Sequence, residues 1–196
     1  MNYEQRGIRK ATLNDRMLLV NIIATSFEHD PCFAWMLSKS RRTDKINILS
    51  EYLVDETLCK GEAYITSDNL GAALWHTANK EPVSINYIKR NLGFLWKIGP
   101  ASVVKCLKVS HHKERHFPLK RFYRYLACIG VLPQGRGKGL ANNLILPILE
   151  QSSREDTPVF LETANENNVS IYEKKGFRLT DTVHENSMKL YFMRYL

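Results

Sequence analysis

The stretch VLPQGRGKGLANN, residues 131–143, sets three glycines and two cations between Gln134 and Gly139. An apolar run over residues 125–131 leads into it, and a run with helical period follows over residues 137–152. Pro133 cannot donate to a sheet ladder, so a strand has to stop before it, and the glycines open backbone conformations closed to other residues. A strand, a bare cationic turn and a helix in that order aim backbone N–H groups and the positive end of a helix dipole at one spot. A phosphorylated ligand suits such a turn; the alternative is a glycine-rich connection that binds nothing.

Two phosphate-binding patterns fail when tested. In GxxxxGK[ST], Gly139 stands after Lys138 where Ser or Thr is required. In GxGxxG, the third glycine falls on Leu140 when counted from Gly135 and on Asn142 when counted from Gly137. Neither an NTPase nor a dehydrogenase is supported.

The rest of the chain alternates strand and helix signals. Residues 7–11 read as a short strand closed by Thr12 as a helix N-cap, after which Leu13, Met17, Val20, Ile23 and Ala24 mark one helical face. Residues 44–58 repeat the helical period through Ile46, Leu49, Leu53 and Leu58. Residues 63–66 and 71–75 predict an antiparallel hairpin joined by Ser67-Asp68-Asn69, and residues 82–118 predict two helices split near Gly99-Pro100. A buried strand follows at 159–163, then a short helix at 169–175 ended by Gly176, then strands at 177–183 and 188–193. Pro147 inside the helix after the glycine turn costs about 3 kcal/mol in a helix interior, which predicts a bent or late-starting helix. The sum is one mixed α/β domain over residues 1–196. A hydrophobic fraction of 44% and a charged fraction of 24% agree with a soluble globular chain. No secretory signal and no apolar run of membrane-spanning length is visible, so the expected location is cytoplasmic with no membrane partner.

Gln134-Gly135-Arg136-Gly137-Lys138-Gly139 matches the Q/R-x-x-G-x-G/A signature of the GNAT superfamily of acetyl-CoA-dependent N-acetyltransferases. NENNVSIYEKKGF, residues 165–177, resembles that superfamily's second segment, in which Asn is followed seven residues later by Tyr and then by E-K-x-G-F. The stretch 125–179 is most similar to the puromycin N-acetyltransferase-like branch. The resemblance implies a single-domain GNAT fold, a mixed central sheet in which two neighbouring parallel strands, here 125–131 and 159–163, splay apart and are flanked by helices. It implies a cofactor-binding core at about 125–179, with acetyl-CoA as co-substrate. Backbone groups of Ile129, Gly130 and Val131 would pair with the pantetheine amides. The amides of Gln134, Gly135, Arg136, Gly137, Lys138 and Gly139, with Leu140 and Ala141 behind them, would hold the pyrophosphate, and Asn165 would contact the pantetheine from the opposite wall.

Acetyl transfer to an amine needs an acceptor for the amine's proton, polarisation of the thioester carbonyl and a proton for the departing sulfur. By resemblance Tyr172 faces the coenzyme sulfur as the acid; by pattern alone it is a core aromatic of a short amphipathic helix. Glu162, at the end of the apolar strand VFLET, is the first candidate base, because a carboxylate there is costly unless paired or working. A structural ion pair with a basic residue of the 80–124 block explains it as well. His76 is a further candidate, and attack by an amine deprotonated in solution or through a water chain needs neither.

Between Lys80 and Arg124 eleven Lys or Arg face only Glu81 and Glu114, a net of +9 within a chain whose total is +8. This block motivates a rival of another class, a non-catalytic coenzyme-A-binding or basic nucleic-acid-binding module. The leading expectation remains an enzyme acting on a small-molecule primary amine by direct attack in a ternary complex, with no nucleic-acid partner, as a monomer or homodimer. Cys32, Cys59, Cys106 and Cys128 show no metal or redox spacing. HHKERH, with His111, His112 and His116, lacks a third ligand at useful spacing, so no metal is expected. Phe27, Phe33, Trp35, Tyr87, Phe94 and Trp96 are candidates for core packing, some of them for an acceptor pocket.

Overall fold

The computed structural model describes residues 6–37, 39–77, 93–94, 96–117 and 122–196. Along the chain the elements are β1 (Ile8–Lys10), α1 (Arg16–Ser26), α2 (Pro31–Met36), α3 (Arg42–Lys60), β2 (Gly61–Thr66), β3 (Gly71–Thr77) and α4 (Pro100–His116). Then come β4 (Arg124–Val131), α5 (Leu140–Arg154), β5 (Val159–Thr163), α6 (Glu166–Glu173), β6 (Arg178–Glu185) and β7 (Met188–Tyr195). The strands form one seven-stranded sheet in the order β1-β2-β3-β4-β5-β7-β6. The expected hairpin is β2 with β3, antiparallel, with Tyr64 opposite Ala73.

Alternation along the strands sorts side chains to two faces. Leu144, Ile145, Ile148 and Leu149 of α5 pack with Tyr64, Ala73, Leu126, Val159 and Leu161 on one side. Leu19, Ile22 and Ile23 of α1 and Val54 of α3 pack with Ile65, Ala72, Leu74 and Cys128 on the other. On that same side α2 and α4 cover Tyr125, Phe160 and Phe192 with Phe33, Trp35 and Val109. Truncating a fully buried side chain such as Leu144 to Ala costs about 2–5 kcal/mol, so these layers fix the helices on the sheet.

Two features of the sheet position the site. β4 and β5 run parallel and, among the described residues, pair only at Arg124 with Val159 and at Tyr125 with Phe160; from Leu126 onward the β5-facing edge of β4 has no strand partner among them. On its other edge β4 pairs with β3, and Ala127 is the extra residue where the register passes from Cys128–Leu74 to Leu126–Trp75. A bulge adds twist and bends its strand, which turns the outer half of β4 away from β5.

Several expectations shift in detail. Leu13 and Met17 are 76% and 72% exposed, and the buried positions of α1 are Leu19, Val20, Ile22, Ile23 and Ala24. Leu13–Asp15 form a 3₁₀ turn capped by Thr12, so a 3.6-residue count started at Leu13 enters α1 out of phase. The helix after the glycine turn starts at Leu140 and continues through Pro147 to Arg154. It starts late because Gly137 and Gly139 lie at φ of +77° and +76°, outside helical backbone. Of the two helices expected over 82–118, Pro100–His116 forms, and residues 82–92 lie outside the described residues.

Candidate active site

The parting strands open one end of a cavity of about 1050 Å³. Ile129, Gly130, Val131, Arg136 and Ala141 line one part of it, and Tyr125, Glu162, Lys113, Asp30 and Cys32 another, with Asn165, Tyr172 and Lys175 alongside.

On the glycine-turn side the backbone decides what is available. The N–H groups of Gly135, Arg136 and Lys138 are directed at the turn's own carbonyls, of Leu132 at 2.9 Å, Pro133 at 3.3 Å and Gly135 at 3.4 Å. Asn142 and Asn143 both donate to Gly139 O. The amides of Leu140 and Ala141, in the first turn of α5, have no helical carbonyl behind them, and no side chain among the described residues caps this helix. A Cβ built on Gly137 or Gly139 meets nothing within 4 Å, so the space above the turn is open. Exposed, cationic and uncapped, this end fits a diphosphate held by the amides of Gly137, Gly139, Leu140 and Ala141, with Arg136 and Lys138 beside it. Gly130 lies in β4 against Ser26 of α1. Asn165 caps α6 with Oδ1, which accepts from Asn167 N at 3.1 Å, and its backbone N–H donates to Thr163 Oγ1.

Lys175, which sequence reasoning passed over, donates from the end of the α6 segment to Asn142 Oδ1 in α5. Burial pushes its ammonium below the usual lysine value. Tyr172 is partly buried, its ring edge-on to Phe177 at 5.7 Å, and its hydroxyl has no hydrogen-bond partner among the described residues. Burial pushes the phenol well above its ordinary value, so it keeps its proton at neutral pH.

The other side of the cavity holds a three-residue cluster. Phe160 and Glu162 share a face of β5, the one covered by α2 and α4. There Lys113 Nζ lies 2.9 Å from Glu162 Oε1 and donates to Tyr125 Oη at 2.7 Å. Tyr125 Oη in turn donates to Glu162 Oε1 at 2.7 Å. Glu162 Oε2 is buried and has no partner among the described residues. Burial disfavours the Lys113 ammonium, but Glu162 and Tyr125 outweigh it and hold the group well above the ordinary lysine value. Burial, then the Glu162 charge, pushes the Tyr125 phenol up. The cationic partner expected for Glu162 from the 80–124 block is therefore Lys113. A periodic reading of α4 exposes it: Ser102, Cys106, Val109, Lys113 and Phe117 recur every three or four residues on the sheet-facing stripe, and four of the five line the cavity.

Around the cluster, Asp30 caps α2 by accepting from Cys32 N at 2.9 Å and Phe33 N at 3.0 Å, and burial pushes its carboxyl up. Phe27 against Phe33 at 4.9 Å and Tyr52 stacked on Phe94 at 4.3 Å supply apolar wall. Trp35 packs in the core, Trp96 is exposed, and Tyr87 lies outside the described residues. His76 borders the cavity and bonds Thr57 Oγ1 through Nε2 at 2.8 Å; the Thr57 hydroxyl proton goes to Leu53 O, so Nε2 is the donor. Burial pushes this imidazole down, leaving it neutral at pH 7. Burial raises the thiols of Cys106 to about 11 and Cys128 to about 12.

Among the described residues of the basic block, four of the six Lys and Arg are held by partners in the fold. Lys105 donates to Trp35 O, Lys108 pairs with Glu185, Lys113 with Glu162 and Arg124 with Glu155. His112 and His116 bond Glu185 and Asp181. Among the described residues no three His, Cys, Asp or Glu side chains form a metal cluster, and no helix is long and apolar enough to cross a membrane.

Residues 117–195 match the family model described as "Acetyltransferase (GNAT) domain". A curated relative, an uncharacterized N-acetyltransferase of Schizosaccharomyces pombe, is 35% identical over 60 residues, 31% of this chain and 24% of its own length. A Corynebacterium glutamicum structure described as histone acetyltransferase HPA2 and related acetyltransferase superposes with a TM-score of 0.72 at 18% identity, covering 95% of this chain and 93% of that one. Arylalkylamine N-acetyltransferase 2 from Aedes aegypti superposes with a TM-score of 0.61 at 16% identity, covering 96% and 98%. The fold is the GNAT fold, an α/β domain whose mixed seven-stranded sheet carries the parallel pair β4 and β5 between flanking helices.

Proposed function

We propose that this chain is an acetyl-CoA-dependent N-acetyltransferase that moves the acetyl group to a primary amine of a small molecule by direct attack in a ternary complex. One observation carries the reading: β4 and β5 part after two paired residues, and one cavity joins Arg136 and Ala141, at the two ends of the glycine turn, to the Glu162 cluster. The free edge of β4 from Ile129 to Val131 suits the amide-rich pantetheine arm, and the turn suits the diphosphate. Asn165 contributes its Nδ2, since Oδ1 is engaged in the α6 cap.

The chemistry needs few parts. Glu162 takes a proton from the amine, whose nitrogen lone pair forms the new C–N bond at the thioester carbonyl. The C–S bond then breaks, its electron pair stays on sulfur, and Tyr172 supplies the proton that makes the free thiol. Direct attack is favoured over an acetylated cysteine because burial holds the cavity's Cys106 and Cys128 thiols protonated, and the thiolate is the nucleophilic form. The carboxylates of Asp30 and Glu162 and the aromatic walls favour an ammonium on an apolar body, in keeping with the arylalkylamine enzyme that shares the fold. The puromycin-like branch suggested by residues 125–179 has the same demand for an amine acceptor.

The test is thiol release from acetyl-CoA across a panel of small primary amines, followed by initial-velocity kinetics with the best of them. The reading expects amine-dependent release and intersecting double-reciprocal lines. Parallel lines would move the acetyl group onto the protein, and no release with any amine despite tight coenzyme binding would leave a coenzyme-A-binding module.

A further inference from the structure

A purely structural ion pair in this position would satisfy both oxygens of its carboxylate, because a buried acceptor left unmade costs about 1–3 kcal/mol. Glu162 departs from that rule on one oxygen only. Its side chain is 10% exposed, Oε1 takes bonds from both Lys113 and Tyr125, and Oε2 takes none among the described residues. Lys113 is itself a departure, being a cation on the sheet-facing stripe of α4 between Val109 and Phe117. The two anomalies meet on the cavity wall, on the side away from the glycine turn.

Resting on the reading of Glu162 as the proton acceptor, we infer that Lys113 is a positioning residue: its ion pair, with the Tyr125 bond, occupies Oε1 and leaves Oε2 as the oxygen that takes the amine's proton. The substrate's N–H then satisfies an oxygen that the fold leaves unsatisfied. The arrangement also answers the electrostatic problem of the site. The groups that face Glu162 are Lys113 from α4, Tyr125 and Cys128 from β4, Asp30 and Cys32 at the start of α2, and Tyr172 from α6. Among the described residues Lys113 is the one cation of this group, and Asp30 is a second acid. Lys113 is therefore the group that sets the charge balance around this carboxylate, at 2.9 Å from Oε1.

The measurement is kcat/KM against pH with one amine throughout, so that the substrate's own titration is common to every variant. The acid-side fall of the profile reports protonation of the base in the free enzyme. In Lys113→Met this fall moves to higher pH by about one unit or more, giving at least a tenfold loss near pH 6 that narrows as the pH rises. Lys113→Arg keeps the charge and keeps the fall near the parent position, even where the longer fork lowers the rate. Tyr125→Phe removes the second donor to Oε1 and moves the fall the same way by less; it carries the test if Lys113→Met does not fold. Calorimetric acetyl-CoA affinity stays at the parent value in each. A fall that stays in place in Lys113→Met or Tyr125→Phe, whether or not the rate drops, overturns the inference. Glu162→Gln separates the two layers: if it retains parent activity and profile, the base reading itself fails, whereas an inactive Glu162→Gln beside an unmoved Lys113→Met profile sinks only the role of Lys113.

Discussion

The helices that open at Leu140 and at Pro31 both border one cavity, yet only one of them is closed by its own chain. At α2 the Asp30 carboxylate accepts from Cys32 and Phe33, the usual way of satisfying first-turn amides. At α5 the cap position is Gly139 at positive φ, no side chain among the described residues closes the end, and Arg136 and Lys138 stand beside it. The same backbone device is finished in one place and left open in the other. The open end suits the anion proposed to bind there, and the closed end places a carboxylate on the wall where the acceptor amine is proposed to sit. The proposed function thus divides between the two parts of the cavity: backbone for the coenzyme, side chains for the amine and its proton.

The largest expected effect breaks that division if it is misdrawn. Glu162→Gln keeps shape and removes the proton acceptor, so kcat falls by about 10²- to 10⁴-fold, the range for a positioned general base. Acetyl-CoA affinity, measured by calorimetry, stays within about twofold of the parent, because the turn and β4 are untouched. A comparable loss in coenzyme affinity would place Glu162 on the coenzyme's path and dissolve the division.

Tyr172→Phe follows in size. Tyr172 stands where the two parts meet, and its hydroxyl has no partner among the described residues, so the substitution orphans none of them and keeps the ring against Phe177. A thiolate whose conjugate acid lies near about 8.5 leaves fairly well unaided, so the loss in kcat is at the low end of the range, about 10²-fold. Turnover within about threefold of the parent, with chemistry rate-limiting, returns Tyr172 to the core.

Gly137→Val tests the backbone part alone. A β-branched residue at φ +77° is strained, and although its Cβ meets no protein atom, it occupies the open space proposed for the diphosphate. Coenzyme affinity is expected to fall at least about tenfold, or about 1.4 kcal/mol, while kcat at saturating coenzyme changes little. A folded variant with parent affinity removes the turn from the site.

The same contrast explains what could be read from the sequence. The coenzyme part is written in contiguous residues whose meaning is local: Pro133 ends a strand, Gly137 and Gly139 adopt positive φ, and 159–163 is a strand with the bounds its apolar run predicts. The acceptor part is assembled across the chain. Lys113, Tyr125 and Glu162 come from a helix and two strands, and nothing local tells Glu162 which of the eleven cations will face it. Strand parity alone leaves its face open; packing of Phe160 beneath Phe117 settles it. Lys113 was concealed by its neighbours in HHKERH, where charge drew the eye and the stripe through Cys106, Val109 and Phe117 carried the information. The phase of α1 was lost for a smaller reason, the 3₁₀ turn at Leu13–Asp15, which no apolar count registers.

The smallest effect is expected at Asp30, and it sharpens the comparison from the closed side. Asn caps a helix about as well as Asp, so Asp30→Asn keeps the bonds to Cys32 and Phe33, whereas Asp30→Ala loses them and costs about 1 kcal/mol. The charge adds a pH dependence. Burial holds the folded Asp30 pKa above its unfolded value, so the native state binds that proton more tightly, and this contribution to stability is lost as pH rises from the ordinary carboxylate range through the folded value. Parent and Asp30→Asn should therefore match in thermal midpoint near pH 4, and by pH 7 the variant should equal or slightly exceed the parent. Asp30→Ala should lie below Asp30→Asn at both pH values. If Asp30→Asn instead loses as much as Asp30→Ala at pH 7, the carboxylate's charge itself is stabilising, and the closed helix end would be held by an ionic partner rather than by its cap.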